Sequence, residues 1–394
     1  MQGGRRIEQI QWNLLAEQAE KHEASEDVVH GKGFFILNLL QVERMVQQGA
    51  GAEEVMAYLV LVRGTSARRK GVTTHGANSI ATRSGMTYYR AEHALDWLAS
   101  AGYINKLVDD TDPPTKKRKA RWRIIENPDV LELPLANSLL DGIGRGKEHP
   151  PLERIYNNVS LGKHLVMADA RLDTLMVLLR LYLHHSLADF GGVNPRSGVS
   201  RQWVATENSG GERVMDLENT NAALYEIGGG NQMVYGKFPL EALPYITDEA
   251  ERELRFWDAF QNLSRFGFVY EVIQVWSADP EKSKKAEPLY TLYVKDRHAR
   301  EQEPYLSHEI HNAAFRRGAL EFCVEFPDGG EDDLDETRNI VGTGRFRYIA
   351  ARKSGGFPIG IYRLRFRPHT RDTSKGMAAE QRRVNEWGQC LHDL

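Results

Sequence analysis

The 394-residue chain is poor in cysteine: it has only Cys323 and Cys390, and no Cys-x-x-Cys pair. This argues against a disulfide framework and against a thiolate zinc site, and it is typical of a reducing compartment. The sequence also lacks an apolar run of transmembrane length, since the nearest, 172–183, is interrupted by Asp173 and Arg180. Its N-terminus lacks the apolar core of a signal peptide. We expect a cytoplasmic, nucleoid-associated protein with no membrane partner.

The signatures of common catalytic sites are also missing. The sequence contains no GxxxxGK[ST] phosphate-binding loop and no Gly-x-Ser-x-Gly elbow. The segment 308–311, His-Glu-Ile-His, is one residue too short for the HExxH zinc motif, so its two rings would not share a helix face. Tyr88 or Tyr89 could act as the nucleophile of a strand nickase, but no supporting Arg/His constellation accompanies them. We therefore predict no catalytic residue, no metal site and no cofactor.

Charge is distributed unevenly along the chain. The formal net charge is -3, yet 61–125 contains thirteen Lys/Arg against five Asp/Glu, so the remainder sums to minus eleven. One basic segment on an acidic chain is typical of site-directed rather than indiscriminate nucleic-acid binding.

The segment 72–87 has the pattern of two short helices joined by a sharp turn. Ala81 is small enough for a second helix to approach closely, and Gly85 can take the positive φ that such a turn requires. Thr87 can cap the second helix. The next apolar residues recur at helical spacing and predict its buried face: Ala91, Ala94, Leu95 and Leu98.

The opposite face of this second helix faces solvent or a ligand. Tyr89, His93, Asp96 and Ser100 point outward by helical rotation, with Arg90 and Glu92 beside them. Residues near the N-terminal end of a recognition helix contact bases. The binding candidates on the two helices are Arg83, Thr87, Tyr88, Tyr89, Arg90 and His93. The alternative is an ordinary amphipathic hairpin with a solvated face.

A glycine, Gly102, ends this helix, and two strands are predicted after it, at 103–108 and 120–125. The intervening loop and the second strand are basic, which suits contact with a sugar-phosphate backbone. Their candidate residues are Lys116, Lys117, Arg118, Lys119, Arg121 and Arg123. A basic run by itself is more often a solvated surface, and Asp109, Asp110 and Asp112 reduce its charge.

Together, these elements resemble the winged helix-turn-helix superfamily, in the form common among bacterial repressors and plasmid or phage replication initiators. The resemblance covers about 75 residues, 51–125. It implies site-specific binding of double-stranded DNA, with Tyr89, Arg90 and His93 at base edges and with Arg83 and the basic hairpin on phosphates. The protein would be a transcriptional regulator or a replication initiator, with a homodimer suited to a palindromic site. Since some winged helices mediate protein contacts, the alternative is an interaction subunit of a DNA-maintenance or anti-phage defence complex.

The predicted fold class is α+β in five regions. They are a helical N-terminal extension at 1–50, the winged helix-turn-helix domain at 51–128, a linker at 129–155, a second winged-helix-like domain at 156–298 and a C-terminal α+β region at 299–394. The second lobe repeats the helix, glycine, strand, Pro/Lys loop and strand pattern over 251–294. It lacks a clean helix-turn-helix turn between 196 and 230, so DNA contact, a protein-partner surface and structural packing all stay open for it.

Two strand-like runs in the C-terminal region alternate arginine with apolar residues, and 353–356 is predicted to join them as a hairpin. Paired in this way, the runs would present an arginine face. The face would be a phosphate platform, a patch for an acidic partner or simply the hydrated side of a sheet. Its residues are Arg345, Arg347, Arg363, Arg365 and Arg367. A terminal helix is predicted at 374–391.

Overall fold

The computed structural model describes residues 33–65, 71–107, 121–142, 150–158, 170–186, 192–193, 200–202, 206–207, 212–216, 243–277, 288–294, 303–307, 309–310, 313–314, 317, 322–325, 345–349, 356–368 and 370–393. Within these parts the chain forms nine helices and thirteen strands, and every strand pairing is antiparallel. The fold class is therefore α+β, as the sequence predicts.

The elements follow one another in two stretches. The first comprises β1 (Phe34–Asn38), α1 (Leu39–Gln47), α2 (Ala52–Arg63), β2 (Val72–Thr73), α3 (Ala77–Ser84), α4 (Tyr88–Ser100), β3 (Ile104–Leu107), β4 (Arg121–Ile124), β5 (Glu132–Ala136), α5 (Ser138–Asp141) and α6 (Pro151–Asn158). The second comprises α7 (Ala170–His184), β6 (Ser200–Gln202), β7 (Thr206–Glu207), β8 (Glu212–Asp216), α8 (Glu249–Arg265), β9 (Val269–Ser277), β10 (Pro288–Val294), β11 (Phe322–Glu325), β12 (Arg345–Ile349), β13 (Gly356–Leu364) and α9 (Arg371–Asp393).

Helix α2 is the central element of the first stretch. It is apolar almost all round, and it contacts β1, α3, α4 and α7, so a continuous run from Val55 to Val62 is buried. A three-stranded sheet of order β2-β4-β3 lies beside α4. Trp122 and Ile124 of β4 point into the core, whereas Arg123 between them is exposed, as the two-residue period of a strand requires.

Two expectations about the ends of this region are corrected. The N-terminal extension was expected to be mostly helical, but 34–38 is a strand, because exposed and buried residues alternate along it; 1–32 lies outside the described residues. Strand β1 pairs with β5, which lies inside the segment predicted as a linker. Leu133, Leu135, Leu139 and Leu140 of that segment are fully buried, so this part of 129–155 belongs to the hydrophobic core.

The second stretch packs on the same core, which extends from Phe35 to Phe366. Helices α7 and α8 contact each other, and the sheet of order β10-β9-β13-β6 lies beside α8. Helix α9 packs on β10. The remaining sheet has the order β11-β12-β8-β7. No helix in the described part of the chain is long and apolar enough to cross a membrane.

The transition from α8 to β9 repeats the transition from α4 to β3 in backbone detail. Gly102 and Gly267 both have positive φ, 80° and 72°. The amide N–H of the next residue donates to a carbonyl five residues earlier in each case, from Tyr103 to Leu98 at 2.9 Å and from Phe268 to Leu263 at 2.8 Å. The sheets differ, because β3 is an edge strand and β9 is central.

The hairpin expected between the two arginine-rich runs is wrong. Strand β12 pairs with β8 and β11, whereas β13 pairs with β6 and, over nine positions, with β9 in another sheet. Strands β9 and β13 are both nine residues long and mostly apolar, so they match along their full length.

The expected arginine face is also wrong for Arg363 and Arg367. The guanidinium of Arg363 is completely buried and bonds to Glu303 and, at 2.5 Å, to Glu380. Arg367 bonds to Glu303 as well, and Glu380 accepts a hydrogen bond from Gln274 at 3.1 Å. Two arginines and two carboxylates thus neutralise one another inside the protein, where an unpaired charge would be costly. The side chains of Arg345 and Arg347 lie outside the described residues.

Candidate nucleic-acid interface

The turn between α3 and α4 positions the candidate surface. Gly85 ends α3 with φ 78°, a left-handed conformation that other residues adopt at a cost. The space is also restricted, because a Cβ at Gly85 would lie 2.5 Å from Cγ of Glu153 in α6. Thr87, which is exposed, caps α4 by accepting a hydrogen bond from the backbone N–H of Arg90 at 3.4 Å. These local features fix the direction in which α4 leaves the turn.

The outer face of α4, defined here as Tyr88, Tyr89, Glu92, His93 and Asp96, is exposed to solvent. Tyr89 has 76 % of its surface exposed and Tyr88 45 %, and their rings meet edge to face at a centroid distance of 6.3 Å. A hydrogen bond from the Tyr88 hydroxyl to Glu92 raises the pKa of that tyrosine. Two exposed aromatic rings and one exposed imidazole are thus presented on one helix face. Its two carboxylates lower its affinity for phosphate.

Arg90 lies beside the outer face and is held by residues from two other helices. Its Nη1 donates to Oε1 of Glu53 in α2 at 2.5 Å and to the hydroxyl of Tyr156 in α6 at 3.1 Å. The Tyr156 hydroxyl in turn donates to the same Glu53 oxygen at 3.0 Å. Burial, and then the bond to Glu53, raise the pKa of Tyr156. The side chain of Arg90 nevertheless stays 56 % exposed.

Arg83, predicted as a phosphate contact, is engaged in an internal ion pair. Its Nε lies 3.0 Å from Oδ1 of Asp141 in α5, and Nη2 of Arg63 in α2 lies 2.7 Å from the other oxygen of the same carboxylate. Asp141 thereby ties α2 and α3 to α5. The Nδ1–H of the neighbouring His75 donates a hydrogen bond to the Val60 carbonyl at 2.9 Å, and burial lowers the pKa of its ring.

The hairpin of β3 and β4 carries part of the expected basic surface. Arg123 is exposed and lies opposite Asn105 in the register, and Lys106 is exposed next to it. Arg121 is half-buried and has an interaction of its own. The other predicted contacts of the hairpin, Lys116, Lys117, Arg118 and Lys119, lie outside the described residues.

The structure thus brings Thr87, Tyr88, Tyr89, Arg90 and His93 together on or beside one helix face. It also adds three residues that the sequence did not indicate: Glu53, Asp141 and Tyr156. These lie 37 to 78 residues from their arginine partners, so no periodicity or local spacing could relate them. Asp141 was further hidden because it falls in the segment predicted as a linker.

The corresponding face of α8 has a different character. Leu254 is 61 % exposed and Asp258 is exposed, whereas Tyr89 and His93 occupy the equivalent positions of α4. Five acidic residues lie between positions 248 and 258, with two arginines between them. This face is unsuited to phosphate.

Within the described ranges, no group of three or more His, Cys, Asp or Glu side chains is placed to hold a metal ion. Comparison with models of protein families, with curated proteins and with solved structures gave no match for this chain.

Proposed function

We propose that 51–128 is a winged helix-turn-helix domain that binds double-stranded DNA at specific sites. The single observation that carries the proposal is the outer face of α4, because it presents exposed Tyr88, Tyr89 and His93 immediately after a tight glycine turn. In this arrangement α4 is the recognition helix, and the β3–β4 hairpin is the wing that lies along the DNA backbone.

Charge supports the same assignment. The segment 61–125 has an excess of eight positive charges, while the rest of the chain is acidic. Arg123 and Lys106 of the wing are exposed and available to phosphates, whereas the acidic body would be repelled. Charge along the chain thus favours DNA contact through 61–125 over contact through the remainder. A transcriptional regulator and a plasmid or phage replication initiator both fit this function.

A second candidate is an interaction subunit of a DNA-maintenance or anti-phage defence complex. Glu92 and Asp96 favour it, because both carboxylates lie on the same exposed face as the tyrosine rings. Aromatic residues are enriched in protein interfaces, whereas the two carboxylates would repel the phosphates of a duplex.

A binding titration at increasing salt separates the two candidates. The full chain is mixed with a selected duplex and with a random duplex, and log K is plotted against log salt concentration. DNA binding predicts a steep negative slope, with loss of affinity in Tyr89→Ala and His93→Ala. Failure to bind any duplex at low salt would remove the DNA proposal and leave the interaction subunit.

A further inference from the structure

Among the described residues, Arg90 makes hydrogen bonds through only one of its three guanidinium nitrogens. Both Glu53 and Tyr156 are bonded by Nη1, and together the three side chains form a closed triangle. In the part of the chain that the structure describes, Nε and Nη2 have no hydrogen-bond partner. Because the guanidinium is planar and Nη1 is fixed, the Nε–Nη2 edge of Arg90 is held in one direction with two N–H donors side by side.

The second lobe contains the same arrangement in a closed form. Arg255 lies twelve residues before Gly267, as Arg90 lies before Gly102, and it bonds to a carboxylate, Asp173, that also accepts from a tyrosine hydroxyl, Tyr245. Here, however, Nε and Nη2 both bond to Asp173 at 2.8 Å, and Nη1 bonds to Glu251 at 2.9 Å.

The contrast separates a structural arginine from an available one. The side chain of Arg255 is 17 % exposed and all of its nitrogens are used, so it serves packing. That of Arg90 is 56 % exposed with one edge unused. Arg90 and Arg255 can therefore be compared directly, because they occupy equivalent positions in the two helix–glycine–strand units. The open Nε–Nη2 edge distinguishes Arg90 from Arg255.

The net charge of the Arg90–Glu53 pair indicates which kind of group the Nε–Nη2 edge would bind. Glu53 lies 2.5 Å from Arg90, so the pair is nearly neutral and its attraction for a phosphate is reduced. The two N–H donors remain. The major-groove edge of guanine offers two neutral acceptors, N7 and O6, at the spacing that an arginine fork fits.

We infer that Arg90 is a specificity-determining residue that recognises one guanine of the target site; this inference rests on the proposed DNA binding. Glu53 and Tyr156 are positioning residues that hold its guanidinium. They suppress contact with phosphates and keep the fork aligned with the base edge.

The test is a duplex selection with the full chain, followed by binding titrations of single-base variants of the recovered site. Arg90→Ala is expected to lose the preference for guanine at one position by about 10-fold to 100-fold, while preferences elsewhere persist. Arg90→Lys keeps the charge without the fork, so it loses the same preference with an unchanged salt slope. A matched control is Arg44→Ala, because Arg44 is similarly exposed and pairs with Asp129 at 3.9 Å.

The positioning residues have their own readouts. Glu53→Gln frees the charge of Arg90, so affinity for random duplex rises, the salt slope steepens by about one unit, and the guanine preference falls. Tyr156→Phe lowers the guanine preference without changing the salt slope. A purely structural role for these residues would lower the melting temperature and leave salt slope and base preference unchanged, which would overturn the inference.

Failure of the two proposals can be told apart. If the wild-type chain binds no duplex, the proposed function fails and this inference fails with it. If the wild type binds but Arg90→Ala keeps every base preference, or weakens all duplexes equally as a phosphate contact would, only this inference is overturned.

Discussion

Tyr89 and Leu254 occupy equivalent positions in two helix–glycine–strand units, thirteen residues before Gly102 and Gly267. Both side chains are largely exposed, at 76 % and 61 %. Tyr89 is aromatic and lies one helical turn before the exposed His93. Leu254 is aliphatic and lies one helical turn before the exposed Asp258. The chain therefore uses one local architecture twice with two surface chemistries.

This pair gives a matched test of which lobe binds DNA. Tyr89→Ala should reduce affinity for the selected duplex by about 10-fold or more, because a contact to base edges is lost. Leu254→Ala should leave the affinity unchanged. Neither change should alter the melting temperature appreciably, since both side chains are exposed. Equal losses in the two variants would assign DNA contact to both lobes.

The turn at Gly85 can be tested against a glycine of the same backbone conformation. Gly102→Ala, at φ 80° and with no described residue beyond its chain neighbours within 4 Å of the added Cβ, should lower the free energy of unfolding by about 1 kcal/mol. Gly85→Ala, at φ 78°, should lower it by about 1–3 kcal/mol more, because its Cβ also meets the side chain of Glu153. Urea denaturation measures the free energy of unfolding of both variants. Equal losses would show that the Glu153 side chain moves aside without lowering stability.

Asp141 should contribute to stability through its two arginines. Asp141→Asn is expected to lower the free energy of unfolding by about 1–3 kcal/mol, since Arg63 and Arg83 both lose a charged acceptor. The control is Asp129→Asn, whose exposed pair with Arg44 at 3.9 Å should contribute less than about 0.5 kcal/mol. Urea midpoints that are the same for both variants would contradict the role of Asp141.

Glu303 makes stability depend on pH. Burial by itself would raise its pKa, but Arg363 and Arg367 outweigh burial and lower the pKa below the ordinary 4.5. A carboxyl whose pKa is lower in the folded state contributes stability above about pH 4.5, and this contribution is lost as pH falls through the folded pKa. Glu303→Gln should be less stable at pH 7 and should lose less on acidification, measured by urea midpoints from pH 7 to 3. Parallel curves for wild type and variant would contradict this assignment.

Sequence periodicity predicted the elements whose signals are local. The turn at Gly85, the buried face of α4 and the strands after Gly102 and Gly267 all follow from spacing within about fifteen residues. The outward direction of Tyr89 and His93 followed from the same rotation, because the small apolar residues Ala91 and Ala94 fix which side of α4 is buried.

Long-range partners could not be predicted in this way. Arginines 83, 90 and 363 look like free surface cations in the sequence. The carboxylate partners of Arg83 and Arg90 lie 58 and 37 residues away, and the two partners of Arg363 lie 60 and 17 residues away. Alternation in β13 predicted a strand with one polar face, but it could not show that Glu303 and Glu380 would cover that face. The pairing of β1 with β5 could not be predicted for the same reason, since it joins segments about 100 residues apart.

The most direct measurement of the central claim is a selection from a random duplex library with the full chain. The account predicts recovery of one sequence motif, with binding that weakens steeply as salt rises and with the motif lost in Tyr89→Ala. Recovery of no motif, together with no binding of any duplex at low salt, would contradict it.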